Sequence, residues 1–431
     1  MEQALIIGIV LVAIFMVMVF TNVPISVALG GSTIVTMLLF GVSIDSYADL
    51  MVSGMRKFSY LAIPFFILSG ILMDRSGVAA RIIRFAKACI GHITGGLAIM
   101  SIVVSVFWGA ISGAGPATVA ALGGVLIPSM DEEGYDKGFA AAVVAAAGGI
   151  SIIIPPSITF VIYGVLANVS IGDLFIAGVI PGLFMGLCFC IYAYIYCRKH
   201  GYHGSAKVQK GEVWKTFKEA FLGILSPVII LGGIYGGIFT ATEAGGIACV
   251  YALVVGVFIY KGIKTRKQAF DIFYETGYSI GTILMIFPMT LIFSRLLVMN
   301  GVPEMVTNFM MGISVNRYVI LLLLDILLVL AGFFLDCNVL LLVLTPLLLP
   351  TATAIGLSQI HLATIIFVAI GLGGMTPPMA TQLYIAVRIC NSDLLKTCKA
   401  LIPLFLFAAL PVLLLVTYVP FLSEWLPSLL I

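Results

Sequence analysis

The sequence predicts an all-α polytopic membrane protein built from two inverted repeats, each with five transmembrane spans, one re-entrant hairpin and a helix broken at the midplane. Three observations carry that prediction. Of the 431 residues, 61% are hydrophobic and 10% charged, whereas soluble domains carry roughly 25% charged residues. Consecutive prolines interrupt two long apolar segments, at Pro155-Pro156 and at Pro377-Pro378. The two interruptions lie at one fixed offset, and other residues recur at the same spacing.

At about 20 apolar residues per crossing, spans fall near 4–20, 23–40, 59–74, 139–167, 174–196, 221–240, 244–260, 276–298, 362–390 and 400–420. No basic region precedes the first apolar run, so it reads as a retained helix rather than a cleaved signal. Segments 41–57 and 75–90 mix polar and apolar residues and read as lying along the membrane surface. The stretches 95–128 and 318–350 are each interrupted at the centre by glycine, proline or polar residues. They read as hairpins that enter and leave on one side. The basic stretch from Arg198 to Lys218 divides the chain near its midpoint. It is either a surface helix around Trp214 or a plain connecting loop.

Charge placement tests this threading. With the N-terminus outside, seventeen of the twenty-two Lys and Arg fall inside, Lys207 among them. Only Arg56, Lys57 and Arg317 fall outside, while Arg295 and Arg388 lie within spans. That is the cytoplasmic bias of a correctly threaded chain. Reading either hairpin as a single crossing would invert every later loop and destroy it.

At an offset of 222, Pro128 pairs with Pro350, Pro155 with Pro377, Pro156 with Pro378 and Pro181 with Pro403. Gly149/Gly371 and Thr159/Thr381 share the register, and Pro64/Pro288 and Gly77/Gly301 agree at 224. Five spans is an odd number, so the second copy sits upside down relative to the first. Many secondary transporters share that design.

Proline removes a backbone donor and clashes with the preceding turn, so neither double-proline segment can be one continuous helix. Broken backbone is tolerated in lipid only where it is buried in protein or lines a watery cavity. The first hairpin turns through Ser112-Gly113-Ala114-Gly115, small residues that let backbone approach a ligand. The second turns through Asp336-Cys337-Asn338, placing a carboxylate inside the membrane. Carbonyl, hydroxyl and carboxylate oxygens suit Na⁺, and half-helix N-termini suit an acid. The four histidines lie near span ends or in loops, which puts sodium coupling ahead of proton coupling. Structural readings stand beside these: a proline kink, a glycine packing face, and Asp336 as a neutral hydrogen-bonded acid. Glu243 is expected to cap a helix, Asp325 to sit at the surface or pair within its hairpin, and Arg295 to snorkel outward. Eight cysteines form no metal-spaced cluster.

The segments Trp108 to Pro128, Gly148 to Pro181, Gly232 to Gly246 and Gly371 to Thr381 resemble the large membrane subunit of tripartite ATP-independent periplasmic (TRAP) transporters. The likeness covers essentially the whole chain. It implies a sodium-driven importer of organic carboxylates, of the sialic acid or C4-dicarboxylate class, in the bacterial inner membrane. It also implies a small four-helix membrane subunit, a periplasmic substrate-binding protein and an elevator-type fold of the ion-transporter superfamily. On that pattern 1–90 and 219–315 are scaffold, 91–197 and 316–431 transport parts, and 198–218 a cytoplasmic linker. Carried over by residue, Ser112, Gly113, Ala114, Gly115, Gly149, Ser151, Pro155 and Pro156 form one sodium site. Asp336, Cys337 and Asn338 with Gly371, Gly374, Thr376 and Pro377 form a second, so two or more Na⁺ ions are implied. Substrate would lie near Ser157, Thr159, Thr381 and Gln382.

Other classes fit less well. A proton-coupled transporter or an anion channel of the same fold is the alternative, and a channel would need more polar spans. No HExxH, no GxSxG with a partner and no GxxxxGK[ST] appears, so an enzyme or a nucleotide-driven pump is not indicated, and nothing points to nucleic acid.

Overall fold

The computed structural model describes residues 2–43, 45–204 and 210–430, and among these every regular element is helical. The first repeat opens with α1 (Glu2–Phe20), α2 (Ile25–Phe40), α3 (Asp45–Gly54), α4 (Ala62–Arg75) and α5 (Val78–Ile90). A hairpin of α6 (Gly96–Ser112) and α7 (Gly115–Glu132) follows, then the broken pair α8 (Lys137–Ile153) and α9 (Ile158–Ala167), and α10 (Ile171–His200). The second repeat runs α11 (Lys210–Tyr235), α12 (Ala241–Val254), α13 (Arg266–Met299) and α14 (Val302–Ile313). Its hairpin is α15 (Arg317–Phe334) and α16 (Cys337–Ala354), its broken pair α17 (Gln359–Gly373) and α18 (Thr381–Cys390). It closes with α19 (Leu394–Leu404), α20 (Leu410–Tyr418) and α21 (Phe421–Leu430). Among the described residues, eight helices are long and apolar enough to cross a membrane, or nine if α8 and α9, bent by 42°, count as one span.

The repeat is written into the backbone. Helices α7 and α16 begin and end 222 residues apart, and α4 and α13 end 224 apart. Helix ends commonly need a left-handed residue to turn the chain, and these recur in register. Gly77 pairs with Gly301, Gly134 with Gly356, and Asn168 with Asn391, all at positive φ. Both Pro-Pro bonds are cis.

Helices α8 and α17 form the buried centre. They cross where Gly149 meets Gly371. A Cβ on Gly149 would lie 2.6 Å from the Gly371 carbonyl oxygen, and one on Gly371 would lie 2.8 Å from that of Gly149. A reciprocal contact between equivalent residues marks the pseudo-two-fold axis, and only glycine permits so close an approach. Around this centre lie the hairpins, and outside them a frame in which α4 packs on α12 and α13, α2 on α13, and α5 on α11. The frame grips the hairpins unequally. In the first repeat α4 and α5 hold chiefly the first arm, α6, whereas in the second α13 and α14 hold chiefly the second arm, α16.

Several expectations change in detail. Helix α11 starts at Lys210 rather than near 221, so Trp214 belongs to the first turns of a span-length helix. Trp214 is exposed while the Phe217 ring packs 5.5 Å from that of Phe85. Residues 205–209 of the linker, including Lys207, lie outside the described residues, as do Met1, Ile44 and Ile431. Helix α13 starts ten residues early because Thr265 and Gln268 form a capping box. Glu243 caps as expected: its carboxylate accepts from Thr240 N at 2.8 Å, and Thr240 Oγ1 accepts from Glu243 N at 3.3 Å. Asp325 is neither at the surface nor paired within its hairpin. It is buried, and Thr417 of α20 donates to it at 2.8 Å. Arg295 is exposed.

Candidate functional site

Each hairpin tip meets the break in its own repeat. Gly113 ends α6 at φ +60, and a Cβ there would lie 2.9 Å from both Pro156 O and Ser157 Cα. Ser157 Oγ donates to Gly113 O at 3.0 Å and lies 2.9 Å from Thr159 Oγ1. Thr159 Oγ1 in turn donates to Ile152 O at 3.2 Å. Two hydroxyl protons serve three contacts, so one acceptor always keeps a free lone pair. Gly115 packs against Gly148, whose carbonyl accepts from Ser151 Oγ at 2.7 Å. Gly113 and Gly115, beside Ser112 at the tip, thus join the hairpin to the break and to α8, and Ser151 packs on Gly109 of α6, whereas Gly149 faces Gly371 of α17 and Pro155 belongs to the break itself.

The second tip repeats the plan with different chemistry. Asp336 caps α16, its Oδ1 accepting from Asn338 N at 3.1 Å. Met379 N donates to Phe333 O at 3.0 Å, and a Cβ on Gly332 would lie 3.2 Å from Gly373 Cα. Cys337 Sγ reaches toward Ile370 O at 3.9 Å, and Thr376 Oγ1 donates back to Leu372 O and Gly373 O at 3.1 Å each. Gly371 and Gly374 are buried, but Pro377 and Pro378 are exposed where Pro155 and Pro156 are buried.

Both tips open on one cavity of about 490 Å³. Its walls include Ser112 to Ala117, Ile158 and Thr159, and Asp336 to Asn338, with Ile71, Asp74 and Arg75 of α4 and Glu275 and Ser279 of α13. Three helix N-termini therefore converge there, those of α7, α9 and α16, and the first two have no side-chain cap. Such ends carry partial positive charge and bare N–H groups. Arg75, the one cation in the wall, pairs with Glu275 at 2.6 Å, both half-exposed.

Of the four residues expected at the substrate, Thr159 lines this cavity. Ser157 lies behind it at 1% exposure, bonded to the hairpin tip. Thr381 is outside the lining, and Gln382 is fully buried with neither amide atom hydrogen-bonded. Sequence reasoning missed Asp74, Arg75, Glu275 and Ser279, because the α4–α13 contact joins positions 200 residues apart. It also missed Lys57, whose ammonium donates to Val165 O in the last turn of α9 at 2.9 Å. That contact borders a separate cavity of about 620 Å³ lined by Asn168, Asp173, Tyr235 and Thr240. At the N-terminus of α8, burial alone would raise the Asp136 carboxyl. Hydrogen bonds from Lys396 and from the N–H groups of Phe139 and Gly138 outweigh that and hold it below its ordinary value.

Residues 12–422 match the family described as "Tripartite ATP-independent periplasmic transporter, DctM component". The chain belongs to this family. It is 37% identical over 416 residues to the isethionate TRAP transporter permease protein DctMQ of Oleidesulfovibrio alaskensis, covering 95% of this chain and 65% of that one. It is 38% identical to the C4-dicarboxylate TRAP transporter large permease protein DctM of Vibrio cholerae, over 96% of both. Its fold is similar to that of the YdaH transporter of Alcanivorax borkumensis, with TM-score 0.60 at 13% identity over 85% of this chain and 86% of the other. This permease is thus a multi-pass inner-membrane transport protein, not an enzyme.

Proposed function

We propose that this permease is the large subunit of a sodium-coupled secondary active importer of small organic acids. It works with a small four-helix membrane subunit and a periplasmic binding protein that delivers the substrate. Relatives named for isethionate and for C4-dicarboxylates share one substrate chemistry, a compact anion with a few polar oxygens. The C4-dicarboxylate relative is matched over 96% of its length, and sialic acid also carries a carboxylate.

The observation that carries this reading is the convergence of three helix N-termini and both hairpin tips on one cavity. Uncapped N–H groups of α7 and α9 are ready to receive a carboxylate. The Asp336 carboxylate at the same cavity repels that anion, so an acid binds well only when cations neutralise the site. This is the physical basis for obligatory coupling. Gly113 O, Ser157 Oγ, Thr159 Oγ1 and Ile152 O offer hard oxygens at the first tip. Asp336, Asn338 and the carbonyls around Gly371 and Gly374 offer them at the second. Na⁺ is cargo here, held while the acid is held.

The cavity reaches Asp74, Arg75 and Glu275, which positive-inside threading puts at the cytoplasmic face, so this conformation is open inward. The unequal grip on the hairpins supports an elevator cycle. In it, the hairpins, broken helices, α10 and α19–α20 move as one body against α1–α5 and α11–α14. Uptake into proteoliposomes containing the partner subunits tests the reading: accumulation should collapse without an inward Na⁺ gradient. Uptake indifferent to that gradient would refute it.

A further inference from the structure

The cavity of about 620 Å³ beside Lys57 has no part in the transport reading above. Positive-inside threading puts residues 41–57, the α9–α10 turn and the α11–α12 turn at the outer face. The cavity therefore lies at the depth of the outer headgroups. Phe58, Tyr235 and Phe239 stand in its wall, the aromatic girdle expected at that interface.

Its polar groups carry both signs. Lys57 Nζ spends one of its three donors on Val165 O. Ser170 and Thr240 cap α10 and α12 by accepting from Asp173 N and Glu243 N. The first two N–H groups of each helix, at Ile171–Gly172 and Ala241–Thr242, have no helical partner, and all four residues line the cavity. Tyr235 Oη is buried there with no hydrogen-bond partner. These donors suit a phosphate. Asp173 supplies the opposite charge; its Oδ1 accepts from Ser170 Oγ at 2.8 Å, and lone pairs remain. One ammonium set against the carboxylates of Asp173 and Glu243 favours a guest that brings a cation of its own.

Phe239 is shared with a groove of about 820 Å³ that runs along α12. Ile247, Val250 and Val254 line it on one helix face, and Val250 is 65% exposed. From Glu243 to Val254 the groove descends about 16 Å, close to the hydrocarbon depth of one leaflet. A polar chamber at headgroup depth adjoining an apolar furrow one leaflet long has the outline of a phospholipid.

We propose that this cavity and groove bind an outer-leaflet glycerophospholipid with a primary-amine headgroup. Its phosphate sits on Lys57 and the N-termini of α10 and α12, its ammonium on Asp173, and one acyl chain along α12. Choline has no N–H to give Asp173 and a glycerol headgroup has no positive charge, so ethanolamine is the headgroup selected. Lys57, Tyr235 and α12 belong to the frame, whereas Asp173 opens α10, so the bound headgroup fastens the two together.

The test is thermal unfolding of the purified, delipidated transporter complex with dioleoyl phosphatidylethanolamine, phosphatidylcholine or phosphatidylglycerol added. Phosphatidylethanolamine should raise the melting temperature, and the other two should need about tenfold more lipid for the same gain. Asp173→Asn, which keeps an acceptor for Ser170 but loses the charge, should erase that preference. Val250→Trp, which fills the furrow from the lipid side, should remove the gain with the small subunit still attached. Equal gains from the three lipids in wild type overturn the proposal, as does a Val250→Trp complex that keeps the wild-type response. Glycerophosphoethanolamine or inorganic phosphate matching the whole lipid would make the cavity a site for soluble anions and also overturn it. Loss of the small subunit from Val250→Trp would assign the furrow to a protein partner instead.

Discussion

Replacing Gly149 with alanine strikes the point where the two repeats touch. The added Cβ would lie 2.6 Å from Gly371 O and 3.2 Å from its carbonyl carbon. Carbon–oxygen contacts normally begin at about 3.2 Å, so the shortfall is roughly 0.6 Å. The atoms in the way are backbone of a buried helix, not the end of a flexible side chain. Helices α8 and α17 must therefore separate along a fully packed interface. Overpacking a tight core costs about 1–3 kcal/mol, and a backbone-on-backbone clash belongs at the upper end. For a chain of 431 residues, about 3 kcal/mol corresponds to a fall in melting temperature of about 3 °C. The assay is thermal unfolding in detergent, with Gly371→Ala as the reciprocal variant. Gly124→Ala and Gly246→Ala serve as controls, because no heavy atom lies within 4 Å of a Cβ at either position. If Gly149→Ala melts no lower than Gly124→Ala, the two-fold crossing described here is wrong.

Further outcomes are expected elsewhere. Asp336→Asn should insert normally but need several-fold more Na⁺ for half-maximal uptake, since a neutral cap attracts a cation less; unchanged Na⁺ activation would return Asp336 to a purely structural role. Ser157→Ala with Thr159→Val removes both hydroxyls that bridge Gly113 O and Ile152 O and should abolish Na⁺-dependent uptake, with folding checked by gel filtration. Lys57→Met breaks a part-buried charge–carbonyl contact at the C-terminus of α9, worth on the order of 1 kcal/mol. It should lower the inward-to-outward ratio about fivefold, read as slower labelling from the cytoplasmic side of a cysteine placed at position 117; an unchanged rate would show that the contact does not bias the cycle. Because the Asp136 carboxyl is held below its ordinary value, its stabilising bonds are complete above about pH 4 and weaken as pH falls through the lowered folded value. Asp136→Asn should therefore flatten the stability profile in that acid range, and an identical acid limb would exclude the group.

The architecture was legible because its signals are local or periodic. Two prolines in a row break a helix wherever they occur, apolar run lengths set the spans, and the fixed offset exposed the duplication before any contact was seen. The left-handed caps at Asn168 and Asn391 recur one residue off the 222 register that the proline, glycine and threonine pairs set. What stayed hidden depends on distant partners. Nothing near Asp325 announces Thr417, 92 residues away, and nothing near Arg75 announces Glu275. The family resemblance groups Ser157 and Gln382 with the substrate. Which side of the hairpin backbone each side chain occupies is decided by tertiary packing, and that turned both away from the cavity.

The inner doorway of the cavity has a further meaning for delivery. Its lone guanidinium is already engaged by Glu275, and Asp74 stands beside them, so the three charges sum to one negative unit. Under the proposed function an acid finds no free cation there to hold it, so it does not linger at the threshold. The same charge opposes its passage equally in both directions, which leaves the direction of transport to the driving ion gradient.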